Sequence, residues 1–258
     1  MNNPYLIQKK KEKKFIFIMR ILIFILFLLI WEVLSRFKII DSFLFSSPTK
    51  IYQTFKEYLV NGEIFSHILI SLLETLTGLI IGTISGLLIA IILWLFKKIH
   101  KILDPFLVVL NALPKTALAP IIIIWIGMGF KGIVAVSISI TIIITIISAF
   151  NYFNQIEEEK IRMLKSFKAT KIQILTKLII PSNFLNILNI IKINIGMSWV
   201  GVIIGEFIVS QKGIGHLLMY GGQVFNLHLV MMGVIILAIL SYLMSLIIDI
   251  IEKKFKRR

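Results

Sequence analysis

Six long apolar runs, separated by short segments that carry most of the lysine and arginine, dominate this chain. They fall at about 15–34, 66–96, 102–128, 132–150, 184–209 and 228–251. Each is near or above the ~20 residues a helix needs to cross a bilayer. In hydrocarbon every backbone N–H and C=O must be bonded internally, so runs of this length read as helices. The expected fold is therefore all-α: a polytopic integral membrane protein with about six transmembrane helices. The composition agrees, with 58% hydrophobic residues and a mean hydropathy of +0.94. Only 16% of residues are charged, against roughly a quarter in a soluble protein. The run at 102–128 contains Pro114 and Pro120, which predicts a broken or re-entrant path there.

The net charge of +15 is not a nucleic-acid signature, because the basic residues cluster between the apolar runs. With six spans, 20 of the 28 Lys and Arg fall on one side and six on the other, while Lys115 and Lys192 lie within spans. By the positive-inside rule both termini are expected in the cytoplasm, as in a multi-pass protein of a bacterial inner membrane. The first run follows a basic head (Lys9, Lys10, Lys11, Lys13, Lys14). No small-x-small cleavage site follows it, so it reads as an uncleaved span rather than a signal peptide. The chain thus divides into a basic head (1–14), one transmembrane domain (15–252) and a basic tail (253–258).

Gly78, Gly82 and Gly86 recur every four residues in the second span, followed by Ala90. On a helix they form one smooth face where another backbone can approach, a packing signal. Charged residues within spans are costly and are candidate pathway residues: Glu74, Lys115, Lys192 and Glu206, with Asp249 nearer a span end. The competing reading for each is an interhelical pair or a snorkelling side chain. The chain has no Cys and its four His are scattered, so no metal site and no catalytic constellation is expected.

Between the fourth and fifth spans, 151–183 is too long for a turn and too charged for lipid. Ile161, Leu164, Ile172, Leu175 and Ile179 recur near the helical period, with the stripe interrupted at Lys168 and ended by Pro181. A helix, a turn near 168–170 and a second helix are predicted, with one apolar face. Such a helix either lies on lipid headgroups or docks into a partner's groove.

The stretch Arg162–Pro181 resembles the EAA loop of binding-protein-dependent ABC importer permeases. Placing Pro181 on the family proline puts Arg162, Met163 and Leu164 at Glu-Ala-Ala and Lys168 at the following glycine. Leu113-Pro-Lys-Thr-Ala-Leu-Ala-Pro120 with Trp125 and Gly127, then Ser198-Trp199, Gly205-Glu206 and Gly213-Ile-Gly215, are similar to the nitrate, sulfonate and taurine branch, over about 45–252. The resemblance implies an importer subunit that moves a small solute (sulfonate, nitrate, taurine or a thiamine precursor). It implies a separate ABC ATPase that handles ATP and Mg²⁺, an extracytoplasmic solute-binding protein, and a second permease copy, as a homodimer. This chain would bind no cofactor and be no enzyme, and no Gly-x-x-x-x-Gly-Lys-Ser/Thr cradle occurs in it. The coupling segment would be Arg162, Met163, Leu164, Ser166, Phe167, Lys168, Ala169 and Thr170, with Leu164 and Phe167 as apolar anchors. A lysine where relatives carry glycine implies a strained left-handed residue or a different turn. The acids just upstream, Glu157 to Glu159, are expected to supply the charge that Arg162 replaces. An ion-coupled secondary transporter using Glu74, Lys115 or Lys192 is the alternative, ahead of a membrane enzyme or a scaffold.

Overall fold

The computed structural model describes residues 4–256, with side chains from Gln8 onward except Lys10; Met1–Asn3 and the tail residues Arg257 and Arg258 lie outside the described residues. In chain order the helices are α1 (Pro4–Arg36), α2 (Ser42–Phe45), α3 (Pro48–Val60), α4 (Glu63–Leu95), α5 (Lys97–Ala112), α6 (Lys115–Ile126) and α7 (Phe130–Asn154). They continue as α8 (Glu158–Ser166), α9 (Lys171–Ile174), a π-helical turn (Leu175–Ile179), α10 (Ile180–Ser182), α11 (Phe184–Val209), α12 (Ile214–Gln223) and α13 (Leu227–Lys256). No strand occurs among the described residues. Helices α1, α4, α7, α11 and α13 are each long and apolar enough to span, and α5 with α6 makes a sixth span if the bent pair is counted as one. That pair bends by 99°. The break falls at Leu113–Pro114, whereas Pro105 and Pro120 sit inside helices.

The centre of the bundle is α4 against α7 and α11, and its packing follows from the residues at the seam. A Cβ at Gly78 would run into Ser137, one at Gly82 into Thr141, and one at Gly86 into Thr145. Glycines four apart on α4 thus face hydroxyl residues four apart on α7, in register. Lipid tails supply no hydrophobic drive between helices, so close backbone approach and interhelical hydrogen bonds supply the attraction. The hydroxyls are satisfied without strain. Thr141 Oγ1 donates to the Ser137 carbonyl (2.9 Å) and Thr145 Oγ1 to the Thr141 carbonyl (2.7 Å). The Thr145 oxygen is then free to accept from Asn194 Nδ2 of α11 (2.7 Å), which also donates to Thr83 Oγ1 of α4 (2.9 Å). Ser198 Oγ of α11 lies 2.7 Å from Ser137 Oγ and donates to the Thr75 carbonyl of α4 (2.8 Å). One asparagine and one serine of α11 therefore tie all three helices.

At one end of the bundle, α3 and α12 cover the core. Helix α3 opens with Ser47 as N-cap and Pro48 at the first helical position, the pairing that starts helices well. Its Ile51 joins Ile64, Ile195, Trp199, Ile214 and Met232 in an apolar cluster beneath the helix. Neither α3 nor α12 is predicted from the apolar runs, because each is short and amphipathic. Helix α1 stands apart: no residue of its most apolar stretch is buried, and Trp31 near its end is only partly covered by the core cluster. It is attached near its C-terminal end, where Glu32 accepts from the Thr49 backbone (3.1 Å) and hydroxyl (2.6 Å).

A Gly82→Val change should open the α4–α7 seam and lower stability by roughly 1–3 kcal/mol. Adding Thr141→Gly should return most of that loss in thermal unfolding of the detergent-purified protein. A double variant no more stable than Gly82→Val alone would mean that the seam does not pack by this steric match.

Candidate functional site: the loop at 151–183 and the buried Glu206 cap

Helix α8 carries Glu158 and Glu159 in its first turn and Lys165 in its last, the order that complements the helix dipole. Arg162 Nη2 bonds Glu158 Oε2 at 2.8 Å, and Lys160 pairs with Glu157 at 3.2 Å. The helix ends in a Schellman arrangement. Lys168 N donates to the Lys165 carbonyl (2.9 Å), Ala169 N donates to the Leu164 carbonyl (3.1 Å), and Lys168 sits at φ +57°. The lysine thus adopts the left-handed backbone that glycine adopts at little cost, and the turn keeps its shape.

The next helix is capped just as firmly. Gln173 N donates to Thr170 Oγ1 (3.3 Å) while Thr170 N donates to Gln173 Oε1 (2.8 Å), a capping box. The four residues 167–170 are therefore held from both sides. The π-helical turn lies directly ahead of Pro181, which lacks the N–H for a regular bond to the carbonyl four residues back.

The faces of this loop differ in part from expectation. Leu164, expected as an outward anchor, turns inward with Ile161 and Ala169 onto Phe153, Ile174 and Ile179. Phe167 is 76% exposed, and Met163, one turn earlier, is 56% exposed. The outward apolar pair is Met163 and Phe167. Ile172, placed on the inner stripe by periodicity, is 65% exposed, and Ile174 is buried instead. The other four stripe residues, Ile161, Leu164, Leu175 and Ile179, all face the same apolar cluster on both sides of the turn.

A second cluster lies between α4, α11 and α12. Glu206 is 1% exposed. Its carboxyl group accepts from Ser71 Oγ (2.5 Å) and from Gly215 N (2.5 Å), and His216 N also donates to it. Ser71 Oγ in turn accepts from Ile214 N (2.7 Å), and Gly213 N donates to His67 Nδ1 (2.9 Å). The free N–H groups at the start of α12 are thereby met by α4 and α11 side chains. Gly213 (φ +114°) and Gly215 carry no Cβ because one at either place would enter the Glu206 carboxyl group. Glu74, 2% exposed, lies with its side chain beside that of Glu206, and its Oε2 has no hydrogen-bond partner among the described residues. A hydrogen bond between the two carboxyl groups would require a proton on one of them.

The comparisons with known proteins bear on the same segments. The family model described as "binding-protein-dependent transport system inner membrane component" matches residues 78–258. The chain belongs to that family. The permease is 27% identical over 225 residues to the putative aliphatic sulfonates transport permease protein SsuC of Bacillus subtilis, covering 87% of this chain and 82% of that one. It is 21% identical over 232 residues to the taurine transport system permease protein TauC of Escherichia coli, covering 88% and 84%. In fold it is similar to an inward-facing structure of the MetNI methionine ABC transporter, at a TM-score of 0.63 and 16% identity over 77% of this chain and 97% of that chain.

The permease brings only two of the four candidate pathway residues together, Glu74 and Glu206, and it does so inside the helix bundle. Lys115 is half-buried at the start of α6, where its Nζ donates to the Asn111 carbonyl (2.9 Å). Lys192 is held by α13 through Asp249 (2.5 Å) and Glu252. The interhelical-pair reading thus describes Lys192, and a capping role describes Glu206. Of the histidines, His67 caps α12, His228 bonds Ser46 (2.8 Å) and His100 stacks on Phe150.

Three outcomes follow for this part of the permease. Glu206→Ala leaves several buried donors without an acceptor and should cost about 2–4 kcal/mol. Glu74→Gln, which can still donate to Glu206, should cost less than about 1 kcal/mol in the same melting experiment. Lys168→Gly should raise the unfolding free energy by about 0.5–1 kcal/mol, since it removes the left-handed strain. No gain there would show that the turn is not strained.

Proposed function

We propose that this permease is the translocating subunit of an ABC importer whose ATP is hydrolysed on a separate ATPase subunit seated against the 163–168 turn. The observation that carries the reading is the Met163–Phe167 pair: two apolar side chains one helical turn apart, exposed on a turn that is capped on both sides. A rigid, exposed apolar knob with Arg162 and Lys165 beside it suits a groove on a partner better than free solution. Ser166, Lys168, Ala169 and Thr170 shape the turn, and Leu164 fastens it to the membrane domain. In this reading Glu158, bonded to Arg162, supplies the acid that the family carries one turn later.

ATP and Mg²⁺ act through the partner, since the chain lacks a phosphate-cradling motif. A rigid knob transmits closure of the ATPase pair to α7 and α11 as a two-state movement. Two copies of the permease, as a homodimer, and an extracytoplasmic solute-binding protein complete the importer. Both termini and the 151–183 loop face the cytoplasm, which the clustering of basic residues favours. The solute is a small organic anion of the sulfonate or taurine class, by the relatives' names. A formylaminopyrimidine permease among them, 25% identical over 195 residues, marks the thiamine-precursor class as the second reading.

Copurification tests the coupling assignment. Met163→Asp with Phe167→Asp should abolish capture of a co-expressed ATPase subunit, while Leu164→Asp should instead lower the stability of the permease itself. An ATPase still captured by the double variant would overturn the assignment. Uptake that collapses with an uncoupler while ATP is maintained would point to the ion-coupled alternative.

A further inference from the structure

Behind α8, a cleft of about 720 Å³ opens where the ends of α4 and α7 meet the loop. Its apolar wall includes Trp94, Phe153, Ile161 and Ile174, and its charged lining is Lys97, Lys98, Lys165 and Lys171 with Glu158. The single acid is already bonded to Arg162 at 2.8 Å. No carboxylate pairs with any of the four lysines among the described residues, and Lys171 Nζ reaches only the Leu95 carbonyl, at 3.3 Å. The apolar wall comes partly from the last residues of α4 and α7, two spanning helices, and partly from α8 and α9, and the lysines come from the start of α5 and from α8 and α9. The cleft therefore straddles the level where hydrocarbon gives way to headgroups.

We propose that this cleft is a binding site for the headgroup and upper acyl chain of an anionic phospholipid. The phosphate lies among Lys98, Lys165 and Lys171, and the chain lies along Trp94, Leu95 and Phe96. Charge and position both select this occupant. Four lysines against one neutralised acid leave a local positive field that a phosphate monoanion satisfies. The apolar wall has no use for a small free anion, whereas an acyl chain covers it. A bound lipid would brace α8 from behind, linking loop position to the surrounding membrane. The proposal is independent of which solute the permease carries, and it shares Lys165 with the proposed ATPase-facing turn.

Native mass spectrometry of the full-length permease in neutral detergent tests it, with phosphatidylglycerol as probe and phosphatidylcholine as comparison. The wild type should retain phosphatidylglycerol selectively. Lys98→Gln/Lys165→Gln/Lys171→Gln should weaken retention roughly a hundred-fold, at about five-fold per lysine. Lys11→Gln/Lys13→Gln/Lys14→Gln on α1 should leave it within about two-fold. Equal loss in both triples would reduce the effect to general attraction by a basic surface and overturn the site. Glycerol phosphate competing as well as the lipid would make it a small-anion site, which also overturns the proposal. A photoactivatable phosphatidylglycerol on the wild-type protein gives a reading that needs no variant to fold. It should label peptides spanning 94–99 and 153–174, and labelling spread evenly over α1 and α13 would overturn the proposal. So would amine-reagent protection of these lysines by a co-expressed ATPase subunit but not by the lipid.

Discussion

The fit of Gly78, Gly82 and Gly86 against Ser137, Thr141 and Thr145 is the contact on which the rest of this membrane domain rests. In lipid, two apolar helices gain little by touching, because the hydrocarbon around them is as apolar as their side chains. Removing Cβ atoms from one face lets the backbones approach until dispersion contacts and short polar bonds hold them. The hydroxyl residues opposite serve two purposes. Thr141 and Thr145 return their protons to their own helix while Ser137 bonds Ser198 of α11, and the oxygens of Thr145 on α7 and Thr83 on α4 give Asn194 two acceptors on two different helices. With α4, α7 and α11 locked, the positions of every loop that joins them are determined.

Both functional clusters hang from that seam. At one end, Glu206 and Ser71 meet the first amides of α12, and two glycines exist there because the carboxyl group occupies the space a side chain would need. A buried acid in a membrane protein invites a transport role, yet this one is placed to satisfy backbone donors that no water can reach. At the other end, α7 delivers Phe153 and α4 delivers Trp94 as a floor for the loop. The loop is then shaped by its own hydrogen bonds: a Schellman turn closes α8, and a capping box opens α9. A lysine tolerates the left-handed position because the two turn bonds and the packing of Leu164 and Ala169 on the apolar cluster outweigh a strain of about 1 kcal/mol.

Much of the site was legible in the sequence, and the misses have physical causes. The break at Lys168 and the second helix beyond it follow from an interrupted stripe and a following Thr170. Leu164 could not be assigned outward or inward from its period alone, because a stripe says which residues share a face and not what the face meets. Ile172 was misplaced because it lies in the first turn of α9, where the chain has only just left the exposed turn, while Leu175 and Ile179 further along reach the cluster. Lys192 could be read as a pathway charge only while Asp249 and Glu252, some 60 residues away in sequence, had no known position.

By itself the sequence determined that this is a bundle of membrane-spanning helices, and its motifs pointed to the family that the comparisons then showed. Run length and polarity suffice for the bundle because hydrocarbon permits so few backbone structures. The glycine face on α4 was equally plain, since its four-residue spacing is a property of one helix. Only the tertiary structure decided what that face meets, which side of α8 is free, and that Glu206 caps a helix. Those three depend on contacts between segments far apart in the chain, and a local period carries no information about a distant partner.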